Sequence, residues 1–374
     1  MPAPQSRRPA SVAIDQFRIQ IVLPFCDLTG GNLILLELAN RFAARGHRVW
    51  MLFEHEDAPW WKPRSFTRMK LRDGRLRPWV DWFDLQVPVL RCPRIEDHHV
   101  PDADVILVSH WRQVPQVAAL SSAKGRKLYY VQAYETDFPE DAESKAAVDA
   151  TYRLPLSHIV PASWLGRMMW ERFGQPSVKI GYAIDFTRFP MPEMRTVHTP
   201  PRCLMQHHGL EVKGVADGIR AFELARRAVP DLTLSLFGPH SRTVETPYRR
   251  LGFVPPTDLG RMYLDHDIFI WSSRREGYGL PPVEAMASQC AVATTDNGGS
   301  EEFAVPEETA LVSPPGDAEA LAASIVRLAT DQDVRRRVAE NGYAAVRRTM
   351  TWDPIIDAWE RALRDETLWT GPPT

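Results

Sequence analysis

Residues 276–284, EGYGLPPVE, combine two carboxylates with a glycine-rich turn. Apolar residues up to Trp271 predict a buried strand before this segment, and paired prolines predict a helix start within it. Backbone amides at a helix start attract an anion, helped by the helix dipole. The amides in question belong to Gly277, Tyr278, Gly279 and Leu280. The flanking carboxylates, Glu276 and Glu284, can accept hydrogen bonds from hydroxyls, so the segment suits a ligand that carries both an anionic group and hydroxyls.

The same segment has a purely structural alternative. Glu284 then serves only as a carboxylate in the first helical turn, where the dipole favours it, and the glycines only form a turn. Two carboxylates spaced around one glycine turn favour the ligand site over this alternative.

Other candidates lie near predicted strand ends. Gly30 and Gly31 follow the first predicted strand, and Lys213 in GLEVKG offers a compact cation for phosphate, with an exposed helix-start lysine as its alternative. His110 ends another predicted strand, where it either faces a cleft or packs. The adjacent His207 and His208 predict no metal site, because neighbours on a strand point to opposite faces.

Alternating strands and helices must position these residues. A strand over 17–23, a helix over 32–45 ended by Gly46, and a strand over 47–53 form a β-loop-α-β unit. The same rhythm resumes near residue 202, after an irregular, proline-rich stretch at 185–200. We expect an α/β fold of two facing Rossmann-like, doubly wound domains, divided into residues 1–188 and 189–352. Ligands of such sheets bind at the carboxyl ends of the strands, here in the cleft between the domains.

Composition narrows the class of protein. The length of 374 residues favours two domains, and the formal net charge of −2 argues against a nucleic-acid partner. The four cysteines (Cys26, Cys92, Cys203 and Cys290) are scattered, which is typical of a reduced, cytosolic protein. No apolar run approaches the roughly 20 residues that span a bilayer. The first residues resemble a short lead rather than a signal peptide, so we expect a cytoplasmic protein.

The segment EGYGLPPVEAMA resembles the E-x7-E motif of the retaining glycosyltransferases of family 4, which have the GT-B fold. The resemblance extends over roughly residues 18–361. It implies that Glu276 holds the transferred sugar, Glu284 the ribose, and Lys213 the donor diphosphate, with Gly31 near the phosphates. Glu302, in GGSEEF, is similar to a further acid of the family. Residues 353–374 would return as a helix to the first domain, which would bind the acceptor.

Two positions depart from the family pattern. His208 stands where the family usually has a second phosphate-binding arginine, which implies a weaker or pH-sensitive clamp. Gln132 stands where many relatives have a histidine near the acceptor, and glutamine can orient a hydroxyl but cannot act as a general base.

The resemblance implies transfer of a sugar from a nucleoside-diphosphate sugar, a UDP- or GDP-sugar, to an acceptor hydroxyl on a glycan, a glycolipid or other lipid-linked acceptor, or a small molecule. No other cofactor and no metal are expected. The base would be read by the backbone around Val254, and neither base nor sugar is specified. A sugar-nucleotide epimerase on the same fold and a non-catalytic nucleotide-sugar-binding subunit remain alternatives.

A cationic, aromatic stretch over residues 60–82 is the remaining candidate. Residues 62–77 hold seven Lys/Arg and one acid among four tryptophans. The stretch either contacts an anionic acceptor or the inner membrane face, or is a solvated loop.

Overall fold

The computed structural model describes residues 16–24, 29–54, 68–72, 75–79, 83–139, 141–191, 195–238 and 248–365, with only the backbone of 68–72 and 75–79. Within these residues the chain forms two parallel sheets with helices packed against them, so the predicted α/β fold class is confirmed. Cys26 and most of the stretch 60–82 lie outside the described residues. No helix in the described part is long and apolar enough to cross a membrane.

The first half holds a sheet of seven strands among the described residues. The strands are β1 (Arg18–Leu23), β2 (Arg48–Glu54), β5 (Val89–Cys92), β6 (Val105–Val108), β7 (Arg126–Tyr130), β8 (Ser157–Val160) and β9 (Ser177–Lys179). They run parallel in the order β5-β2-β1-β6-β7-β8-β9. A separate antiparallel hairpin is formed by β3 (Arg68–Arg72) and β4 (Arg75–Trp79). The helices of this half are α1 (Gly30–Ala44), α2 (Val114–Ala119), α3 (Ala142–Thr151) and α4 (Ser163–Phe173).

The second half repeats this plan with six described strands. The strands are β10 (Arg202–Gln206), β11 (Thr233–Phe237), β12 (Arg249–Gly252), β13 (Ile268–Trp271), β14 (Ala291–Thr295) and β15 (Leu311–Ser313), in the parallel order β12-β11-β10-β13-β14-β15. The helices are α5 (Val215–Ala228), α6 (Leu259–Leu264), α7 (Leu280–Ala287), α8 (Ala318–Thr330) and α9 (Gln332–Thr349). The central strands β13 and β14 are buried along their whole length, because helices cover both faces of a parallel sheet.

The last described helix, α10 (Trp352–Arg364), packs against the first half. Its Trp359 makes edge-to-face contacts with Phe42 and Tyr130, with ring centroids 6.1 and 5.0 Å apart. Glu360 accepts from the buried His47 at 3.3 Å. The chain therefore crosses between the halves twice, once through the residues after β9 and once before α10. The exact domain limits at residues 188 and 352 stay a prediction.

Candidate functional site

Lys213 and Glu276 form an ion pair between two loops of the second half. Lys213 Nζ lies 2.8 Å from each carboxylate oxygen of Glu276. Both side chains are largely buried, at 20% and 8% exposure. Lys213 belongs to a single helical turn between β10 and α5, whereas Glu276 follows β13, so the pair joins the carboxyl ends of neighbouring strands. The alternative of an exposed helix-start lysine is wrong, because this ammonium group is paired and mostly covered.

The loop after Glu276 leads directly into α7. Gly279 has φ +100°, a left-handed backbone that favours glycine, and as the residue before the helix it has no side chain with which to cap the first turn. Pro281 and Pro282 carry no N–H, so the amides at this turn that suit an anion belong to residues 277–280. The main chain of Glu276 is anchored by its N–H, which donates to Asn297 O at 2.9 Å.

Glu284 lies deeper than the sequence predicts. Because α7 begins at Leu280 rather than at Pro282, Glu284 is in its second turn, and the interpretation as a first-turn carboxylate is wrong. Tyr263 Oη donates to Glu284 at 3.0 Å, and burial raises the pKa of Glu284 to about 7. It lines a small cavity together with residues of α1 and of the segment 183–189.

The two glycine segments, one in each half, meet at Gln132. The helix predicted over 32–45 begins earlier, so Gly30 and Gly31 are the first two residues of α1 rather than part of a loop before it. A methyl group on Gly277 would lie 1.9 Å from Gln132 O, so only glycine allows this close approach of two backbones. A methyl group on Gly31 would lie 3.3 Å from Gln132 Nε2, and one on Gly30 would lie 3.2 Å from Leu280. The structure thus brings together the two glycine segments that the sequence places about 250 residues apart.

Gln132 is held by hydrogen bonds on both sides of its amide. Tyr182 Oη donates to Gln132 Oε1 at 2.7 Å, and Gln132 Nε2 donates to Ser109 Oγ at 2.7 Å. The ring of Tyr182 packs on Tyr278, with centroids 4.6 Å apart. These bonds fix the amide orientation at the base of the cleft, in keeping with an orienting role rather than that of a base.

His110 and Glu135 lie beyond β6 and β7 in the first half. Burial, with the nearby Arg112, lowers the pKa of His110 to about 4, so this imidazole is neutral at physiological pH. Glu135 accepts from Trp111 N at 3.0 Å and from Tyr129 Oη at 3.3 Å. Burial raises the pKa of Glu135 to about 8. Sequence reasoning missed Glu135, although it stands only three residues after Gln132 in a loop that follows a strand.

The strand predicted to include His207 and His208 ends before them, at Gln206, so both lie in the following loop. The argument that they occupy opposite faces of a strand therefore does not apply to them. His208 Nδ1 accepts from Leu210 N at 3.1 Å, which makes Nε2 the protonated nitrogen of the neutral ring.

Val254, the position predicted to contact the base, is half-buried beside Phe253, which is 49% exposed.

Glu302 contacts the first half rather than the loop around Glu276. Its Oε1 accepts from Ser163 N at 2.7 Å, and its Oε2 pairs with Lys179 at 3.1 Å.

A cluster of one acid and two histidines, Glu96, His98 and His99, has potential metal-ligand atoms within 4.8 Å of one another. These residues belong to the segment between β5 and β6 of the first half, and Glu96 and His98 are exposed.

Comparisons with known proteins agree with this architecture. Residues 191–345 match the family model of glycosyl transferases group 1. The lipopolysaccharide core biosynthesis mannosyltransferase LpcC of Rhizobium leguminosarum bv. viciae is 38% identical over 97 residues, or 26% of this chain and 27% of that protein. The chain thus aligns with only about a quarter of that curated relative's length.

Two solved structures resemble nearly the whole chain. Sucrose-phosphate synthase from Thermosynechococcus elongatus gives a TM-score of 0.69 at 17% identity, covering 92% of this chain and 98% of that one. Anabaena HepE in complex with UDP and glucose gives a TM-score of 0.70 at 16% identity, covering 94% and 100%. The chain therefore has the GT-B fold of glycosyltransferases, and its residues 191–345 match glycosyl transferases group 1.

Proposed function

We propose that the protein is a glycosyltransferase that moves a sugar from a nucleoside-diphosphate sugar to an acceptor hydroxyl, with retention at the anomeric carbon. The observation that carries this proposal is the Lys213–Glu276 pair, at 2.8 Å, beside the start of α7, where the residue before the helix is Gly279. The match to glycosyl transferases group 1 over this half supports it.

A bound donor would separate this ion pair and give each of its two side chains a new partner. The diphosphate would take the ammonium group of Lys213 and the amides at the start of α7, since both stabilise negative charge in a site shielded from water. Glu276 would then be free to accept hydrogen bonds from the sugar hydroxyls. In the proposed site, the two groups that neutralise each other without ligand each bind one end of the donor.

During transfer, the bond between the anomeric carbon and the phosphate oxygen breaks, while the acceptor oxygen bonds to the same carbon. The leaving phosphate would carry the negative charge and take the acceptor proton. Lys213, the amides of residues 277–280 and the glycine segment at residues 30–31 would stabilise that charge, so no metal ion is required in this proposal. Neither Gln132 nor the neutral His110 is needed as a base.

The acceptor would enter from the first half, beside Gln132, His110 and Glu135. All three follow central strands of the first sheet, on the side where its loops meet residues 276–280. The acceptor classes proposed are a glycan or a lipid-linked saccharide. Contact with the inner membrane face through residues 60–82 belongs to the same proposal.

The experiment is a thermal-shift screen with UDP-, GDP-, TDP- and ADP-sugars, followed by product analysis with the donor that stabilises most. Binding to the folded state raises the melting temperature by mass action, so the true donor should give the largest shift. A new glycosidic bond with the donor's anomeric configuration is expected. Nucleotide release or sugar isomerisation without such a bond would identify an epimerase instead, and binding without turnover a non-catalytic subunit.

A further inference from the structure

The start of α4 lacks a capping side chain of its own. The residue before the helix is Ala162, whose methyl side chain cannot accept a hydrogen bond from the first turn. The first amides of a helix have no intrahelical partner and need acceptors from elsewhere. Here the acceptors come from the other half of the molecule: Glu302 accepts from Ser163 N at 2.7 Å and Glu301 from Trp164 N at 2.6 Å.

The same two carboxylates also pair with cations of the first half. Glu302 lies 3.1 Å from Lys179 Nζ, and Glu301 lies 2.7 Å from Arg167. The Glu302 side chain is only 12% exposed, so its contacts are more strongly shielded than those of an ordinary surface pair. Each carboxylate therefore bonds both the helix backbone and a basic side chain across the cleft.

Trp164 links this contact to the loop of Glu276. Its Nε1 donates to Gly277 O at 3.1 Å. Its indole covers Gly298, where a methyl group would lie 3.1 Å from three ring atoms. Gly298 in turn forms a bridge with Glu276. The amide that Glu301 caps and the indole that holds the loop belong to one residue, so the position of α4 and that of the loop depend on each other.

We propose that Glu301 and Glu302 are positioning residues, which cap α4 from the opposite half and thereby hold the Glu276 loop against the acceptor side. This inference rests on the proposed function. In that function Lys213 and residues 276–280, all in the second half, bind the donor before transfer, whereas Gly30 and Gly31 of the first half act on the charge that develops during transfer. Loss of the two carboxylates should therefore leave donor binding nearly intact and slow the transfer step, which needs both halves together.

The experiment compares Glu301→Ala/Glu302→Ala with Glu301→Gln/Glu302→Gln, with Glu319→Gln as the control. Glu319 is an exposed glutamate that pairs with Arg220 within the second half. For the alanine variant we expect kcat to fall about tenfold or more, with KM for the donor within about twofold. The glutamine variant keeps an oxygen for the backbone amides and should recover part of kcat, and the control should match the wild type.

Small-angle X-ray scattering provides a readout that does not depend on activity. The alanine variant should show a larger radius of gyration than the wild type, with unchanged affinity for the nucleoside diphosphate. The proposal is overturned if kcat and the radius are unchanged in a folded alanine variant, or if nucleotide affinity and kcat fall together. If the wild type transfers no sugar, the proposed function fails, and the scattering comparison alone decides whether the two glutamates hold the halves together.

Discussion

At the scale of single residues, the most informative contact is the ion pair of Lys213 and Glu276. The two residues are 63 positions apart, and the backbone N–H of each donates a hydrogen bond, that of Lys213 to Leu210 O and that of Glu276 to Asn297 O. Each side chain satisfies the charge of the other in the absence of ligand, so removal of either one frees its partner. The two substitutions should therefore have opposite effects on the binding of a nucleoside diphosphate without sugar.

We expect Lys213→Ala to weaken nucleoside-diphosphate binding, because a phosphate partner is lost. Glu276→Ala should keep or strengthen that binding, because the ammonium group is freed. Both should lower kcat/KM for the sugar donor about 100-fold or more. Calorimetric titration and steady-state assays measure the two effects, and Arg220→Ala, which removes an exposed pair, serves as the control. Full turnover in either variant would show that the site is misassigned.

Glu135 provides a second residue-level feature, because its burial shifts its pKa from 4.5 to about 8. The folded state therefore keeps a proton that the unfolded state releases between these values. By linkage, this carboxyl lowers the free energy of unfolding as the pH rises from about 4.5 to 8, and the loss is complete above that range.

The substitution Glu135→Gln should remove this pH dependence. The free energy of unfolding of the variant, measured relative to that of the wild type, should be larger at pH 8.5 than at pH 5. Between pH 5 and about 8 the difference should grow by up to about 1.4 kcal/mol for each pH unit. Denaturant unfolding at both pH values measures the change, with the exposed Glu143→Gln as the control. If the variant and the wild type differ in free energy of unfolding by the same amount at both pH values, the raised pKa of Glu135 is contradicted.

At the scale of elements, strand ends determine where the chemistry lies. The segments that follow β1, β7, β10 and β13 carry Gly31 (at the start of α1), Gln132, Lys213 and Glu276, and all four strands belong to parallel sheets. Parallel strands bring successive carboxyl ends to one edge, so residues from distant loops meet there. Gly277 shows how close this meeting is, since its backbone touches that of Gln132 in the opposite sheet.

We expect Gly277→Ala to reduce turnover strongly, because its methyl group would lie 1.9 Å from Gln132 O and force the two loops apart. The melting temperature should change much less than kcat, because each half keeps its own core. Gly181→Ala is the matched control, since its methyl group would meet nothing closer than 3.9 Å. Equal activity of the two variants would show that the close approach does not matter for transfer.

At the scale of the whole molecule, α10 ties the end of the chain to the first sheet. Trp359 is 1% exposed, and Arg45 of the first half pairs with Asp357 at 2.9 Å. The chain therefore connects the two halves through two segments, one after β9 and one before α10. This double connection limits the relative motions of the halves to those that both crossings permit.

Trp359→Ala should destabilise the fold by about 3–5 kcal/mol, because it removes a large buried ring from an aromatic cluster. Trp170→Ala, at a 40% exposed position of α4, should cost about 0.5 kcal/mol or less. Denaturant unfolding compares the two directly. A Trp359 variant as stable as the Trp170 variant would mean that α10 contributes little to the first half.

Much of this organisation follows from local sequence patterns. The strands predicted over 17–23 and 47–53 and the helix predicted over 32–45 agree with β1, β2 and α1 to within two residues, and both halves show the predicted parallel α/β plan. Apolar periodicity and helix-stopping glycines act over a few residues, so a single sequence reveals them. The loop at 276–284 was recognisable for the same reason. Short strands such as β9 and β15 were not predicted, because three residues carry too little pattern.

By itself, the sequence determined the order of strands and helices and the loop with Glu276. Tertiary structure alone decided that Lys213 pairs with Glu276, that Glu284 is buried beneath Tyr263, and that Glu302 caps a helix of the other half. These outcomes depend on how two separately patterned sheets pack, since contacts between residues distant in sequence arise from that packing. Burial then raises the pKa of Glu284 to about 7, which no local pattern contains.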